Sequence, residues 1–364
     1  MPEALVEGLL QITDERKDGQ LRDPAMPLRP SRPGGIHVPR RMIADLQLRT
    51  GALLEGELRG RMLHRVTRIE GTPTSEYQPT HTLYDSTALD PAPQIKLEHN
   101  PQEYTTRIID LLTPIGFGQR GLIVAPPRVG KTILMQNMAR GIHANHPNTE
   151  LMLLLIDERP EEVTDMKRNV PGTVYASSND NTIEKHLDLA KLVIERCKRK
   201  VEMGRDVIVL MDSLTRLGRA FNADSRSGKT LSGGVDSRAL EIPKRLFGAA
   251  RKIEGGGSLT IIATCLVDTG SKMDQVIFEE FKGTGNMELT LDRQLANQRI
   301  FPALNIAGSG TRKEELLLDA PTLDAARKIR KHLVSMQPAA AMKSLIDTMA
   351  KVKTNRELVA AIKG

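Results

Sequence analysis

At 364 residues, with 27% charged and 39% hydrophobic side chains, the chain can build one large domain and a smaller module, each around its own core. No apolar run reaches the roughly 18 residues of a membrane span, and MPEALVEGLLQITDER carries acids where a secretory signal has a basic head, so a cytoplasmic protein without a membrane partner is expected. Cys197 and Cys265 are too few for a disulfide framework or metal cluster and read as core thiols, while a net charge of +7 favours a polyanionic partner.

Residues 1–71 hold short apolar patches, LVEGLLQI, GGIHVP, ALLEGELRG and MLHRVTRIE, punctuated by Gly and Pro as in a small all-β barrel. From residue 22 to 41 the chain carries Arg22, Arg29, Arg32, Arg40 and Arg41 against a single acid, Asp23, which predicts a basic, loop-rich surface. Residues 72–101, rich in Pro, Ser and Thr, read as a linker lying against a neighbouring domain. From 102 to 364, apolar runs of four to eight residues alternate with amphipathic helical patterns (GLIVAP then KTILMQNMARGI, ELMLLLID then PEEVTDMKRN). That alternation predicts an α/β domain with a mostly parallel sheet, whose functional groups collect at the carboxyl ends of the strands.

The first such strand, GLIV, runs into Ala125-Pro126-Pro127-Arg128-Val129-Gly130-Lys131-Thr132 and then directly into a helix pattern from Ile133. Strand, loop and helix in that order make a P-loop: the segment from Pro127 to Ile133 wraps phosphates, with backbone N–H groups from Arg128 onward, Lys131 serves the β and γ groups, and the Thr132 hydroxyl holds Mg²⁺. Ala125 replaces the usual first glycine, and two prolines stiffen the cradle. The second strand ends in Asp157-Glu158-Arg159, making Glu158 the candidate general base for a water attacking ATP. Glu161 and Glu162 read as ordinary first-turn acids of the following helix. The third, DVIVLMD, closes on Asp212, a Walker B carboxylate that orients Mg²⁺.

The strings LLIDERPEEVTDM, DSLTRLGRAFN, SGKTLSGGVDSRAL, DTGSKMDQVIFEEFKGTGNMEL and SGTRKEELLL resemble successive signatures of the transcription termination factor Rho family, from about residue 104 to 320. The resemblance implies a RecA-like P-loop ATPase domain preceded by an oligonucleotide-binding (OB-like) barrel. It implies ATP and Mg²⁺ as cofactors, a homo-hexamer, and RNA-stimulated 5'-to-3' helicase movement along single-stranded RNA that releases transcripts from the RNA polymerase elongation complex. Arg312 matches an arginine finger supplied to the neighbouring subunit, Arg299 a second intersubunit arginine, and Phe301 the residue on which adenine stacks; Arg159 stands as a catalytic candidate by its place at the strand end beside Glu158 alone. Lys229 and Thr230, in SGKTLSGG, and Gly270, Ser271 and Lys272, in GSKM, match the RNA-binding loops of the central channel.

Two departures stand out. The helical segment that precedes the family's barrel is expected to be absent, because the barrel pattern begins near residue 3, and residues 1–76 contain no Phe, Tyr or Trp, the first aromatic being Tyr77. Stacking is worth roughly 1–3 kcal/mol per base, so cytosine-selective capture by the barrel is expected to be lost or replaced. An ATP-responsive RNA-binding ring without termination activity is the alternative reading, and a rotary ATPase subunit is disfavoured by the two loops.

Overall fold

A computed structural model describes residues 4–225, 230 and 232–363. The amino-terminal module is a barrel of β1 (Ala4–Gln11), β2 (Gly19–Arg22), β3 (His37–Val38), β4 (Leu53–Arg59) and β5 (Met62–Ile69). The strands run in the order β3-β2-β1-β4-β5, and a β3 to β5 pairing at His37 and Met62 closes them. Alternation drives the closure: in β4, Leu54, Gly56 and Leu58 point inward, joining Leu10, Leu21, Val38 and Leu63 in one core. One short helix, α1 (Arg40–Asp45), interrupts the expected all-β pattern and packs Met42 and Ile43 on that core. Tyr77, placed by sequence in the linker, is half-buried against the same core.

The segment 72–101 is woven into both neighbours. β6 (Thr72–Pro73) pairs with β5, extending the barrel sheet beyond residue 71. β7 (Ala88–Leu89) and β8 (Gln94–Ile95) instead join strands of the larger domain. Such two-residue strands carry no periodicity for sequence reading to detect.

Past α2 (Tyr104–Leu112) and β9 (Ile115–Gly116), the larger domain alternates strands and helices: β10 (Arg120–Ala125), α3 (Lys131–Asn145), β11 (Glu150–Glu158), α4 (Pro160–Asn169), β12 (Thr173–Ser178), α5 (Ile183–Glu202), β13 (Asp206–Asp212) and α6 (Leu214–Asp224). A 3-10 turn at Ser232–Gly234 leads to α7 (Glu241–Phe247), β14 (Arg251–Ile253), β15 (Ser258–Leu266), α8 (Lys272–Lys282), β16 (Met287–Thr290), α9 (Arg293–Asn297) and β17 (Gly310–Thr311). The main path is β12-β11-β13-β15-β10-β16-β17, parallel except for β17. Both faces are covered: Ile123, Leu153, Ile208 and Ile262 enter one core, and Leu122, Leu154, Val209 and Ile261 enter the other. The carboxy-terminal helices α10 (Ala320–Val334), α11 (Pro338–Ala350) and α12 (Asn355–Lys363) close the first of these with Leu333, Met342, Leu345 and Leu358. Both cysteines are fully buried in the second, and burial pushes their thiols up, Cys197 to about 12 and Cys265 to about 11.

The barrel is fastened to α5. Arg196 bonds Glu70 and the Gly51 carbonyl (3.3 Å), while Glu202, its side chain 1% exposed, accepts from Leu83 N–H (2.9 Å), Arg49 (3.0 Å) and Arg199 (2.8 Å). Gly51 permits the approach: its φ is 88°, and a Cβ there would lie 2.5 Å from the Arg196 nitrogen.

Candidate functional site

Parallel pairing brings the carboxyl ends of β11, β13, β15 and β10 side by side in that order. Glu158, Asp212, Thr264 and the P-loop therefore share one edge of the sheet, as the sequence reading required of the first, second and fourth.

The loop after β10 turns through positive φ at Arg128 (65°) and Gly130 (86°) before α3 begins at Lys131. Gly130 caps the 15-residue helix without any side-chain hydrogen bond, so its first N–H groups point into the cradle, and the macrodipole adds positive potential there. Lys131 donates to both carboxylate oxygens of Asp212, and Thr132 follows one residue on. Asp212 is 2% exposed and also accepts from the Thr264 hydroxyl at 2.7 Å. The donor set suits a nucleotide with its magnesium: a lysine and free helix N–H groups for phosphate, a hydroxyl and a buried carboxylate for a hard cation.

Glu158 sits beside this pair. A bulge interrupts β11 between Leu155 and Glu158, with Asp157 at φ 55°, and re-aims the end of the strand. Glu158 Oε1 accepts from the Arg159 N–H (3.1 Å) and Arg216 Nη2 (3.1 Å), whereas Oε2 is buried with no partner among the described residues. Burial and the nearby Asp212 carboxylate raise its pKa above the usual range, opposed by Arg216 and Lys131. A carboxylate with a raised pKa and one open lone pair is suited to take a proton from water.

Arg216, which the sequence reading passed over, also bonds the Asp157 carbonyl. Behind it, His186 shares a hydrogen bond with the Ser177 hydroxyl (2.8 Å), with Nε2 at 3.8 Å from Asp157, and burial lowers its pKa. Arg219, one turn on along α6, donates to Asp274 (2.7 Å), which accepts from Thr269 at 2.6 Å. Arg219 also feels the charge of Asp157. The charged side chains in Ser213-Leu214-Thr215-Arg216 and in KMDQ were visible in sequence; their convergence depends on α6 and α8 packing together.

The Phe301 ring, 48% exposed, faces the P-loop: a Cβ on Gly130 would lie 3.6 Å from its Cε1. Ile133 is likewise exposed in the first turn of α3. Arg299 lies exposed at φ 59° just before Phe301, and Arg159 projects outward, 3.7 Å from Glu162. Arg312 is not brought to this edge. Its N–H bonds the Asn286 carbonyl beside Arg120, at the amino end of β10, roughly 20 Å of strand from the P-loop.

Of the loop residues, Lys272 opens α8 and is exposed, Gly270 has φ 80°, and Ser271 caps α8 by accepting from the Asp274 N–H at 3.4 Å. Thr230 is exposed and bridges to Asp236. The second loop comes close: a Cβ on Gly233 would lie 2.9 Å from the Lys272 carbonyl. Lys229 lies outside the described residues.

Residues 105–311 match the ATP synthase alpha/beta family, nucleotide-binding domain. In fold, the chain is similar to the assembled ATPase EscN of the enteropathogenic E. coli type III secretion system, with a TM-score of 0.64 at 20% identity over 84% of this chain and 78% of that one. Its sequence is 54% identical to transcription termination factor Rho of Streptomyces lividans across 85% of this chain, spanning 44% of that relative. Against the Rho proteins of Cereibacter sphaeroides and Aquifex aeolicus it is 49% and 48% identical, covering 96% and 98% of this chain and 85% and 84% of theirs. With such identity carried over nearly the full length of two relatives, the chain belongs to the transcription termination factor Rho family.

Proposed function

We propose that this chain is a cytoplasmic, RNA-stimulated ATPase that assembles as a homo-hexameric ring, moves 5' to 3' along single-stranded RNA and releases transcripts from the RNA polymerase elongation complex. The observation that carries the reading is the meeting of Lys131, Asp212 and Glu158 at one sheet edge, connected through Arg216, Asp157 and Arg219 to the Lys272 loop.

Lys131 and the α3 N–H groups hold the β and γ phosphates, and Phe301 stacks on adenine. Thr132 and Asp212 would hold Mg²⁺, which would neutralise phosphate charge. Glu158 Oε2 accepts the proton of the attacking water as the bond to the ADP oxygen breaks. Arg299 and Arg312 act on the neighbouring subunit's nucleotide: the distance of Arg312 from its own P-loop supports a role in trans. Lys229 and Lys272 grip RNA phosphates with little base preference. Thr269 and Ser271 tie the Lys272 loop to Asp274, and Arg219 is the physical link from there toward Glu158.

Stalled elongation complexes carrying a labelled transcript test the reading. Release is expected only with ATP and only with Lys131 intact. Active hydrolysis without any release would favour the RNA-binding regulatory ring instead.

A further inference from the structure

Between the barrel and the ATPase domain lies an open groove of about 1180 Å³ that the nucleotide site and the channel loops do not use. Its walls are the barrel edge with α1 on one side and α5 with α7 on the other, and residues 79–84 run along its floor. Seven Lys and Arg side chains line it against four Asp and Glu.

Most of those acids are already engaged. Asp14 pairs with Arg16 (3.2 Å), Glu195 with Lys198 (2.6 Å), and Glu202 serves two guanidiniums at once. The side chains of Lys17, Arg40, Lys191 and Arg245 form no ion pair within 4 Å among the described residues, although Lys17 and Arg40 lie near Asp14 and Lys191 sits over the Phe221 ring at 5.4 Å, so both walls carry net positive charge. Between these cations the surface is apolar, with Ile43, Ile242 and half-exposed Tyr84, whose ring Lys198 (4.9 Å) and Arg251 (4.6 Å) already approach.

Size and chemistry select the ligand. The groove exceeds the roughly 300–1,000 Å³ of small-molecule sites and is open, so it suits an extended polymer. Cations interleaved with apolar and aromatic surface match a single strand of nucleic acid, which offers phosphates and base faces in alternation. On one wall, α7 begins seven residues after the turn Ser232–Gly234 that packs on the Lys272 segment.

We propose that this groove holds a segment of single-stranded RNA, its phosphates against Lys17, Arg40, Lys191 and Arg245 and its bases toward Ile43, Ile242 and the exposed edge of Tyr84; the inference rests on the RNA reading above. It gives the chain an aromatic contact outside a barrel whose first 76 residues have none.

The test is binding of a labelled oligouridine to the full chain across a salt series, for wild type, K191E/R245E and the conservative K191R/R245K. Charge reversal is expected to weaken binding at least about tenfold and to flatten the log–log salt slope by about 1.4, for two lost phosphate contacts at ~0.7 each. The conservative pair keeps wild-type affinity. Should the reversed variant melt early, crosslinking of 4-thiouridine RNA to the wild-type chain takes its place, with Tyr84 and its groove neighbours expected among the crosslinked residues and their absence contradicting the proposal. Affinity within about twofold of wild type and an unchanged slope would overturn it. So would equal competition by polyglutamate, which would mark an acidic-protein groove. If Lys272→Ala abolishes RNA stimulation while K191E/R245E binds normally, the groove inference alone falls; if wild type neither binds nor responds to RNA, both readings fall.

Discussion

Arg216 Nη2 donates to Glu158 Oε1 at 3.1 Å, and its other terminal nitrogen bonds the carbonyl of Asp157, so one guanidinium spans the last two residues of β11. This clasp leaves Glu158 Oε2 open and fixes where it points. Removing it frees the base to wander, and a displacement of about 1 Å at such a site costs up to about a hundredfold in rate. Arg216→Gln should lower kcat by ten- to a hundredfold, with a smaller effect on KM for ATP. Its positioning role has a second signature in pH. Hydrolysis needs ionised Glu158, so activity falls as pH drops through its raised pKa. Arg216 lowers that pKa, so its loss should move the acidic limb to higher pH. A kcat-against-pH profile with an unmoved limb would count against the assignment.

Phe301 offers a ring face beside Gly130 and little else, since it is half exposed and contributes no core. Phe301→Ala should weaken ATP binding about tenfold, equivalent to ~1.4 kcal/mol, while Phe301→Tyr retains it. Fluorescent-nucleotide titration measures both. Equal affinity in the alanine variant would remove the residue from the adenine site.

Glu202 is one of two carboxylates, with Glu70, that fasten the barrel to α5. Glu202 is buried between Arg49 and Arg199, and Glu202→Gln leaves two guanidiniums short of their counter-charge. Breaking a buried pair from one side costs about 3 kcal/mol. Urea unfolding should show that loss, together with weaker coupling between barrel and ATPase domain. A loss below about 1 kcal/mol would reduce the contact to an ordinary surface pair.

Much of the motor was legible before any coordinates. Buried strands announce themselves as continuous apolar runs, and the candidate residues stand near where those runs end: Glu158 and Asp212 close β11 and β13, and Lys131 opens the helix that follows β10 across a five-residue loop. What sequence could not supply was convergence between distant segments. Arg216 and Arg219 lie on α6, Asp274 on α8 and Thr264 on β15, and only the order β11-β13-β15-β10 and the packing of α6 on α8 bring them within reach of the site. The segment 72–101 was read as a linker because two-residue strands have no period. Tyr77 was read with it, although it packs on the barrel core. Arg299, Arg312 and Phe301 carried no local signal and were marked by family resemblance alone.

The most direct test of the account is the ATPase rate with and without poly-cytidine and poly-uridine, in wild type and Lys272→Ala. The account predicts that RNA accelerates the wild type, and that the variant binds ATP normally but loses most of the stimulation. Unaltered stimulation without the Lys272 ammonium, or a wild-type rate indifferent to RNA, would contradict it.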